Sequence, residues 1–527
     1  MRLLRLLLTA SVASLTAALT AGCAVGPDFE RPAKPNLATY DSTPLPPRTA
    51  DAKDKAGVAQ TFVSGQDIPA TWWQVFHSLP LNSLIQQALK SNPDLAAAEA
   101  ALRVAEENTA AGEGAFFPSL QADFSGTRTK TSSGSNGGLF PGLIYTVHNA
   151  SIGASYLIDL FGRNQRQVEE LGAQEDYQRF QMEAAYISLT SNVVTAAIKE
   201  ASLRGQIEAT QKIIAEETSQ RNVLEKQLNL GGIAKEAVLG QAATLAQIRG
   251  TLPPLEKQLA QIRHELSVLV GQFPSEAPAA VFDLDSLSLP QELPVTLPSQ
   301  LVEQRPDVRA AEANLHIASA AIGVALANRL PQITLSADIG SQAVAISKLF
   351  TPGTGIWSIG FDVSQTIFDG GRLAHQQGAA EAEYDMAAAQ YRKVVLAAFQ
   401  DVADALRALQ SDAMTLREQV AAERAAAGSL ALTQIQFKEG ALSYIALLDA
   451  ERVEQQTKIA LIQAEAQRYA DTAALFQALG GGWWNRPAYS APAETTPVAT
   501  TPVATTPVAV TPVAATNQTK PMETTHD

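Results

Sequence analysis

Apolar and polar positions alternate along this chain with two different periods. Residues 81–112 repeat at helix spacing, with Leu81, Leu84, Ile85, Ala88 and Leu89 on one face. Asn92-Pro93 interrupts them and suits a cap and restart. After Phe117-Pro118 the period drops to two: Leu120, Ala122 and Phe124 alternate with polar neighbours. A Gly/Ser-rich loop at 131–138 follows. Over 147–162, Ile152, Ala154, Tyr156 and Ile158 face one way, and Asn149, Ser151, Gly153 and Ser155 the other. Such strands suit either the wall of a water-filled barrel or the edge of a soluble sheet. From Arg163 to Leu230 only Gly172 and Gly205 interrupt a helical run, which would be about 100 Å long at about 1.5 Å per residue. A turn at 230–232 and a helix over 235–270, kinked or broken at Pro253-Pro254, complete the unit.

The plan then repeats. NPDLAAAEAAL at 92–102 returns as RPDVRAAEANL at 305–315, and Pro118 returns as Pro331, in both cases 213 positions later. A helix over 298–328, a strand over 332–340 and a strand over 356–368 follow. The second strand puts Trp357, Ile359, Phe361, Val363 and Ile367 on one side. DLFGR at 159–163 corresponds to FDGGR at 368–372, and LGGIAK at 230–235 to KEGALS at 438–443. Helices over 373–437 and 444–478 close the second half. Each half therefore reads helix–strand–strand–long helix–helix, the signature of a duplicated unit. In the second long helix Tyr384, Ala388, Tyr391, Val395, Ala398, Val402, Ala405 and Leu409 form a heptad seam, with Asp385, Arg392, Lys393, Gln400 and Asp401 turned to water. The seam predicts a coiled-coil bundle or tube.

Outside the repeats the chain changes character. MRLLRLLLTASVASLTAALTAGC is an export signal ending at Cys23, the chain's one cysteine. LTAGC resembles the bacterial lipobox, which implies a covalent lipid on Cys23 and a signal over 1–22. Residues 23–70 read as a proline-rich extended arm, 71–274 and 298–482 as the two repeats, 275–297 as a linker, and 483–527 as a Thr/Pro-rich disordered tail. Trp483 and Trp484 are expected to pack on the body.

A net charge of −14 over 527 residues argues against nucleic acid as a partner. One cysteine permits no intrachain disulfide. The six histidines (His77, His148, His264, His316, His375, His526) show no metal-ligand spacing. No nucleophile–base pair or phosphate loop is present, so neither an enzyme, a cofactor nor a metal site is expected. No apolar run of about 20 residues predicts a membrane helix, a test blind to barrel strands. Four strands per chain cannot close a barrel, and lipid does not tolerate open edges, so strands that span would have to be pooled among several chains.

Lipobox, duplication and strand pairs together resemble the bacterial outer-membrane efflux channel family, lipoprotein branch. The resemblance is carried by CAVGPDFERP (23–32), TWWQVF (71–76), the NPDL and RPDV segments, YLIDLFGR (156–163), FDGGR (368–372) and ALLDAER (446–452). It covers residues 19–482. It implies a mixed α/β membrane protein, a homotrimer sharing one twelve-stranded outer-membrane β-barrel, continuous with a long periplasmic α-helical coiled-coil tunnel. It further implies a passive efflux duct in outer-membrane lipid, working with a periplasmic membrane-fusion adaptor and a proton-driven inner-membrane transporter. The family's gate aspartate falls on Asp449. Ala446 stands where some relatives carry a second acid, Arg452 lies one turn later, and Gln241 takes the corresponding place in the first half. Gly231, Gly232 and Gly440 mark the adaptor-facing turns and are expected to free the backbone for tight reversals. Trp357 marks the barrel strand at the membrane interface. Two other readings remain open at this point: an exit duct for one-step protein export, and a lipid-anchored periplasmic scaffold that never spans.

Overall fold

Breakers and caps set the helix ends. In a computed structural model of the protein, which describes residues 24–37, 39–132 and 142–486, Ser78 accepts from Leu81 N and opens α1 (Leu79–Ser91). Asn92 then accepts from Asp94 N and Leu95 N at 2.9 and 3.0 Å and opens α2 (Pro93–Glu113). Strands β2 (Ser119–Lys130) and β3 (Ile144–Ile158) follow β1 (Thr61–Ser64) of the arm. Then come α3 (Arg163–Asn229), α4 (Lys235–Leu269) and β4 (Glu292–Val295). The second half runs α5 (Pro298–Gln304), α6 (Pro306–Ala327), β5 (Gln332–Ala343), β6 (Gly355–Ser364), α7 (Arg372–Lys438) and α8 (Tyr444–Ala478). The long helices α3 and α7 both have 67 residues, and α4 and α8 both have 35. Pro253 and Pro254 lie inside a continuous α4.

The repeated Pro-Asp segments do the same mechanical work in both halves, where each seats the end of the last helix. Asn92 Nδ2 donates to Leu269 O at 3.0 Å, and Arg305 Nη1 donates to Ala478 O at 3.1 Å. Both target carbonyls are orphans of a helix C-terminus. The glycines just beyond press on the same breaks. A Cβ on Gly271 would lie 2.1 Å from Ser91 O, and one on Gly480 would lie 2.7 Å from Gln304 O. Arg305 also pairs with Asp307 and Asp401, tying α6 to α7.

Hairpins α3–α4 and α7–α8 pack along their lengths, with α6 between α3 and α7, and α8 against α3. In the seam of α7, Val395, Ala398, Val402, Ala405 and Leu409 are buried, Tyr384, Ala388 and Tyr391 half-buried, and the residues expected in water exposed. One correction concerns α6: it is long and apolar enough to cross a membrane, which the reading of the sequence denied. Nearly half of it is buried within the protein, with Val308, Ala313, Leu315 and Ile322 inside, so it is a core helix.

The arm and the linker are more structured than their prolines suggest. β1 and β4 form a two-stranded parallel sheet beside the helices. In the core of the body, Trp72 stacks on Phe476 at 5.4 Å, and Tyr469 donates to Leu287 O at 3.1 Å. Trp483 packs edge-on to Phe180, and Trp484 donates to Asp67. The packed body thus runs through Arg486. Residues 1–23, including the signal and Cys23, and 487–527 of the tail lie outside the described residues.

Candidate functional site

The second sheet has the order β2-β3-β5-β6, antiparallel throughout. Pairing joins Ala122, Ile152, Ile339 and Trp357 in one row, Leu120, Ala154, Ala337 and Ile359 in the next, and Tyr156, Leu335 and Phe361 in a third. Period-two pleating puts all of these on one face. That face is apolar and uncovered: Leu120, Ile339, Trp357, Ile359 and Phe361 are each about two-thirds exposed or more. The other face carries Asp123, Ser151, Ser155, Ser336, Asp338, Ser358 and Asp362, and it too is largely open. Both edge strands, β2 and β6, leave one side of the ladder unpaired. An apolar face, a polar face and two free edges have no stable resting state in water. Ile367, expected on the apolar side, lies past the end of β6.

At the opposite end, two helix reversals form a tip. Gly231 and Gly440 both sit at φ 74°. Gly231 N donates to Leu228 O and Gly232 N to Gln227 O; Gly440 N donates to Phe437 O and Ala441 N to Gln436 O. Each is a left-handed cap closed by two bonds. Gly232 is the correction here: it lies outside the left-handed region and only donates, as Ala441 does in the second half. Asp449 and Arg452 are two-thirds exposed, and Arg452 Nη2 meets Asp449 Oδ1 at 3.3 Å. An exposed pair of this kind contributes little to stability. Gln241, its first-half counterpart, is buried: it donates to the Glu217 carboxylate and accepts from the Tyr444 hydroxyl. Gln455 donates to the other Glu217 oxygen at 3.0 Å.

That buried network is a feature the sequence did not reveal. Glu451 lies beside it, with Oε2 buried and unpartnered among the described residues. Burial first, then the charges of Glu217 and Glu216, push its carboxyl up to about 8. In the unfolded chain it ionises near 4.5, so its contribution to packing is full below that pH and is lost as pH rises to about 8. Amide hydrogen exchange in 213–229 and 444–455, corrected for intrinsic rates, is expected to be faster at about pH 8.5 than at about pH 6, on the two sides of that titration. Glu451→Gln should flatten the difference; an unchanged pH response in that variant would rule the mechanism out.

The arm starts at the sheet end of the helices. Val25 N donates to Phe161 O, and Arg166, nearly fully buried, donates to Val25 O and Gly26 O and pairs with Asp28 and Glu169. Phe29 stacks on His316 at 4.2 Å, and His316 Nε2 meets Glu169 at 2.9 Å. Ala24 thereby lies against Gly162, at the helical end of β3. Arg166 was not foreseen; one arginine in a helical run carries no sign of its burial.

A family model described as outer membrane efflux protein matches the chain twice, over residues 84–272 and 297–481. The chain belongs to the outer membrane efflux protein family. Within that family, the cation efflux system protein CusC of Escherichia coli is 30% identical over 473 residues, covering 88% of this chain and 96% of CusC. The toluene efflux pump outer membrane protein TtgC of Pseudomonas putida is 29% identical over 494 residues, covering 91% and 97%. The open state of the MtrE outer membrane channel of Neisseria gonorrhoeae shares the fold with a TM-score of 0.75 at 26% identity, over 88% of this chain and 99% of that one. The outer membrane efflux protein family thus supplies the medium that the sheet lacks: a lipid bilayer for the apolar face. It is a family of channels rather than enzymes.

Proposed function

We propose that three copies of this chain pool their sheets into one twelve-stranded barrel across the outer membrane and stack their helices into a periplasmic tunnel beneath it. The observation that carries this reading is the uncovered apolar face bounded by two unpaired edges. Lipid forbids such edges, so the sheet must close with copies of itself. Two copies would give about eight strands, whose interior is filled by side chains; three are the smallest set that leaves a lumen. The polar face then lines the lumen with Asp123, Asp338 and Asp362 of each copy.

The duct is passive. It passes small toxic compounds received from a periplasmic adaptor and a proton-driven inner-membrane transporter; the names of CusC and TtgC, cation and toluene efflux, support that class. Gly231 and Gly440 shape the tip that meets the adaptor, and Gly232 contributes a backbone donor there. Asp449 faces its copies as an acidic ring at the periplasmic mouth, held in check by Arg452. Trp357 marks the lipid boundary at the far end of β6. Cys23, one peptide bond before Ala24, carries an acyl chain into the leaflet at the barrel's periplasmic rim, a reading supported by Ala24 lying against Gly162.

Purified protein in planar bilayers is expected to give discrete, cation-preferring conductance steps. Asp449→Asn should keep the steps and lower the cation-over-anion permeability ratio about two- to fivefold. Absence of any conductance from the intact chain would return the scaffold reading, and an unchanged ratio would remove Asp449 from the gate.

A further inference from the structure

The far end of the sheet carries a charge opposite in sign to that of the chain. From Phe124 to His148 and from Ile339 to Ser358 the sequence holds Arg128, Lys130 and Lys348 but no aspartate or glutamate, in a protein of net charge −14. Register fixes where the first two stand. Arg128 opposes Thr146 and Lys130 opposes Ile144, in step with Phe124 and Leu120. Both therefore lie on the apolar face, away from Asp123, Asp338 and Asp362. His148, opposite Gly126, occupies the row between Phe124 and Arg128. Arg128, Lys130 and Lys348 are exposed, and none pairs with a carboxylate among the described residues.

Height places this patch against a particular part of the membrane. The apolar rows run from Ile158 to Ala150 along β3. At about 3.4 Å per residue and a tilt of about 40°, that is roughly 20 Å along a barrel axis, close to the belt of an outer-membrane barrel. Arg128 begins two rows beyond Phe124, just past the belt on its side remote from the helices. Arg128 and Lys130 face outward there, so conduction does not explain them; Lys348 stands exposed in the β5–β6 connection at the same end of the sheet.

We propose that Arg128, Lys130 and Lys348 bind the phosphate groups of anionic lipid in the outermost leaflet. This rests on the sheet being a membrane wall. Arginine grips a phosphate through two parallel N–H donors, and lysine adds a point charge. The apolar rows directly beneath supply the acyl-chain contact that a free phosphate could not use, which is why a lipid is the occupant.

The test is native mass spectrometry of the full-length protein in detergent with added diphosphoryl lipid A. Phosphatidylcholine serves as the control and excess inorganic phosphate as the competitor. Wild type should retain lipid A and not phosphatidylcholine. The triple variant Arg128→Gln/Lys130→Gln/Lys348→Gln should retain about tenfold less, and Lys130→Gln alone about threefold less, with the mass of the assembly and its conductance unchanged. Asp123→Asn, on the other face, should retain as much as wild type. Equal retention by the triple variant, equal retention of phosphatidylcholine, or full displacement by inorganic phosphate would overturn the site. Wild type that binds lipid A but does not conduct would overturn the duct and leave the site standing.

Discussion

Ile339→Arg is expected to deplete the protein from the outer membrane, while Asp338→Asn, one residue away, leaves it in place. The two side chains leave the same strand on opposite faces. Ile339 pairs with Ile152 and Trp357 in the apolar row next to the outermost; Asp338 pairs with Gly153 and Ser358 in the polar ones. An arginine facing lipid costs about 2–4 kcal/mol at the midplane and less toward the interfaces, and the barrel would incur its part of that cost in every copy. Asp338 accepts from Ser358 Oγ at 3.4 Å, a contact that asparagine can keep. Membrane fractionation followed by blotting measures the outcome. Normal insertion of Ile339→Arg would show that this face does not meet lipid.

The second large effect concerns the periplasmic body. Arg468 of α8 is fully buried. It donates to Ala56 O and Val58 O, each at 2.7 Å, and to Thr49 Oγ1 at 3.1 Å, and so ties the arm to the helices. Burial lowers the guanidinium's pKa, and the charges of Tyr469, Asp412, Asp51 and Asp54 work against that shift. Arg468→Met fills the volume but strands those acceptors, at an expected cost of about 3–5 kcal/mol. Thermal melting should shift down by several degrees, and limited proteolysis should open the arm between residues 49 and 60 first. A melt within about 0.5 kcal/mol of wild type, typical of a surface change, would mean the arm is held by other contacts.

Much of this architecture is legible in residue order, for reasons that differ by element. The strands were readable because pleating forces alternation: Ile152, Ala154 and Tyr156 occupy one face with no exception between them. The long helices were readable because nothing breaks them; Gly172 and Gly205 sit inside α3, and Gly205 lets Ile462 of α8 approach. The duplicated Pro-Asp segment was visible as a repeat, but its mechanical use was not, since it depends on carbonyls at Leu269 and Ala478, far away in sequence.

What escaped notice shares one trait, dependence on distant partners. β1 and β4 are four residues each, and one pair is Val63 with Pro294, which no local pattern announces. Arg166 and Arg468 look like solvent-facing helix residues until the arm folds over them. Glu217 and Glu451 look equally ordinary until Gln241 and Tyr444 close around them. The apolar stretch of α6 was underestimated because Arg309 and Glu312 punctuate it; they pair with each other at 3.2 Å on one side of the helix. At the tip, glycine spelling alone misled: two adjacent glycines suggested two freed positions, and the cap uses one.

Electron cryomicroscopy of the full-length chain in a lipid nanodisc decides whether the sheets close on one another. Three copies are expected, with β6 of each hydrogen-bonded to β2 of the next in a closed twelve-stranded wall, Ile339 and Ile359 toward lipid and Asp338 toward an open lumen. A single copy, or a set whose sheets lie outside the bilayer with their edges unpaired, would contradict the shared barrel.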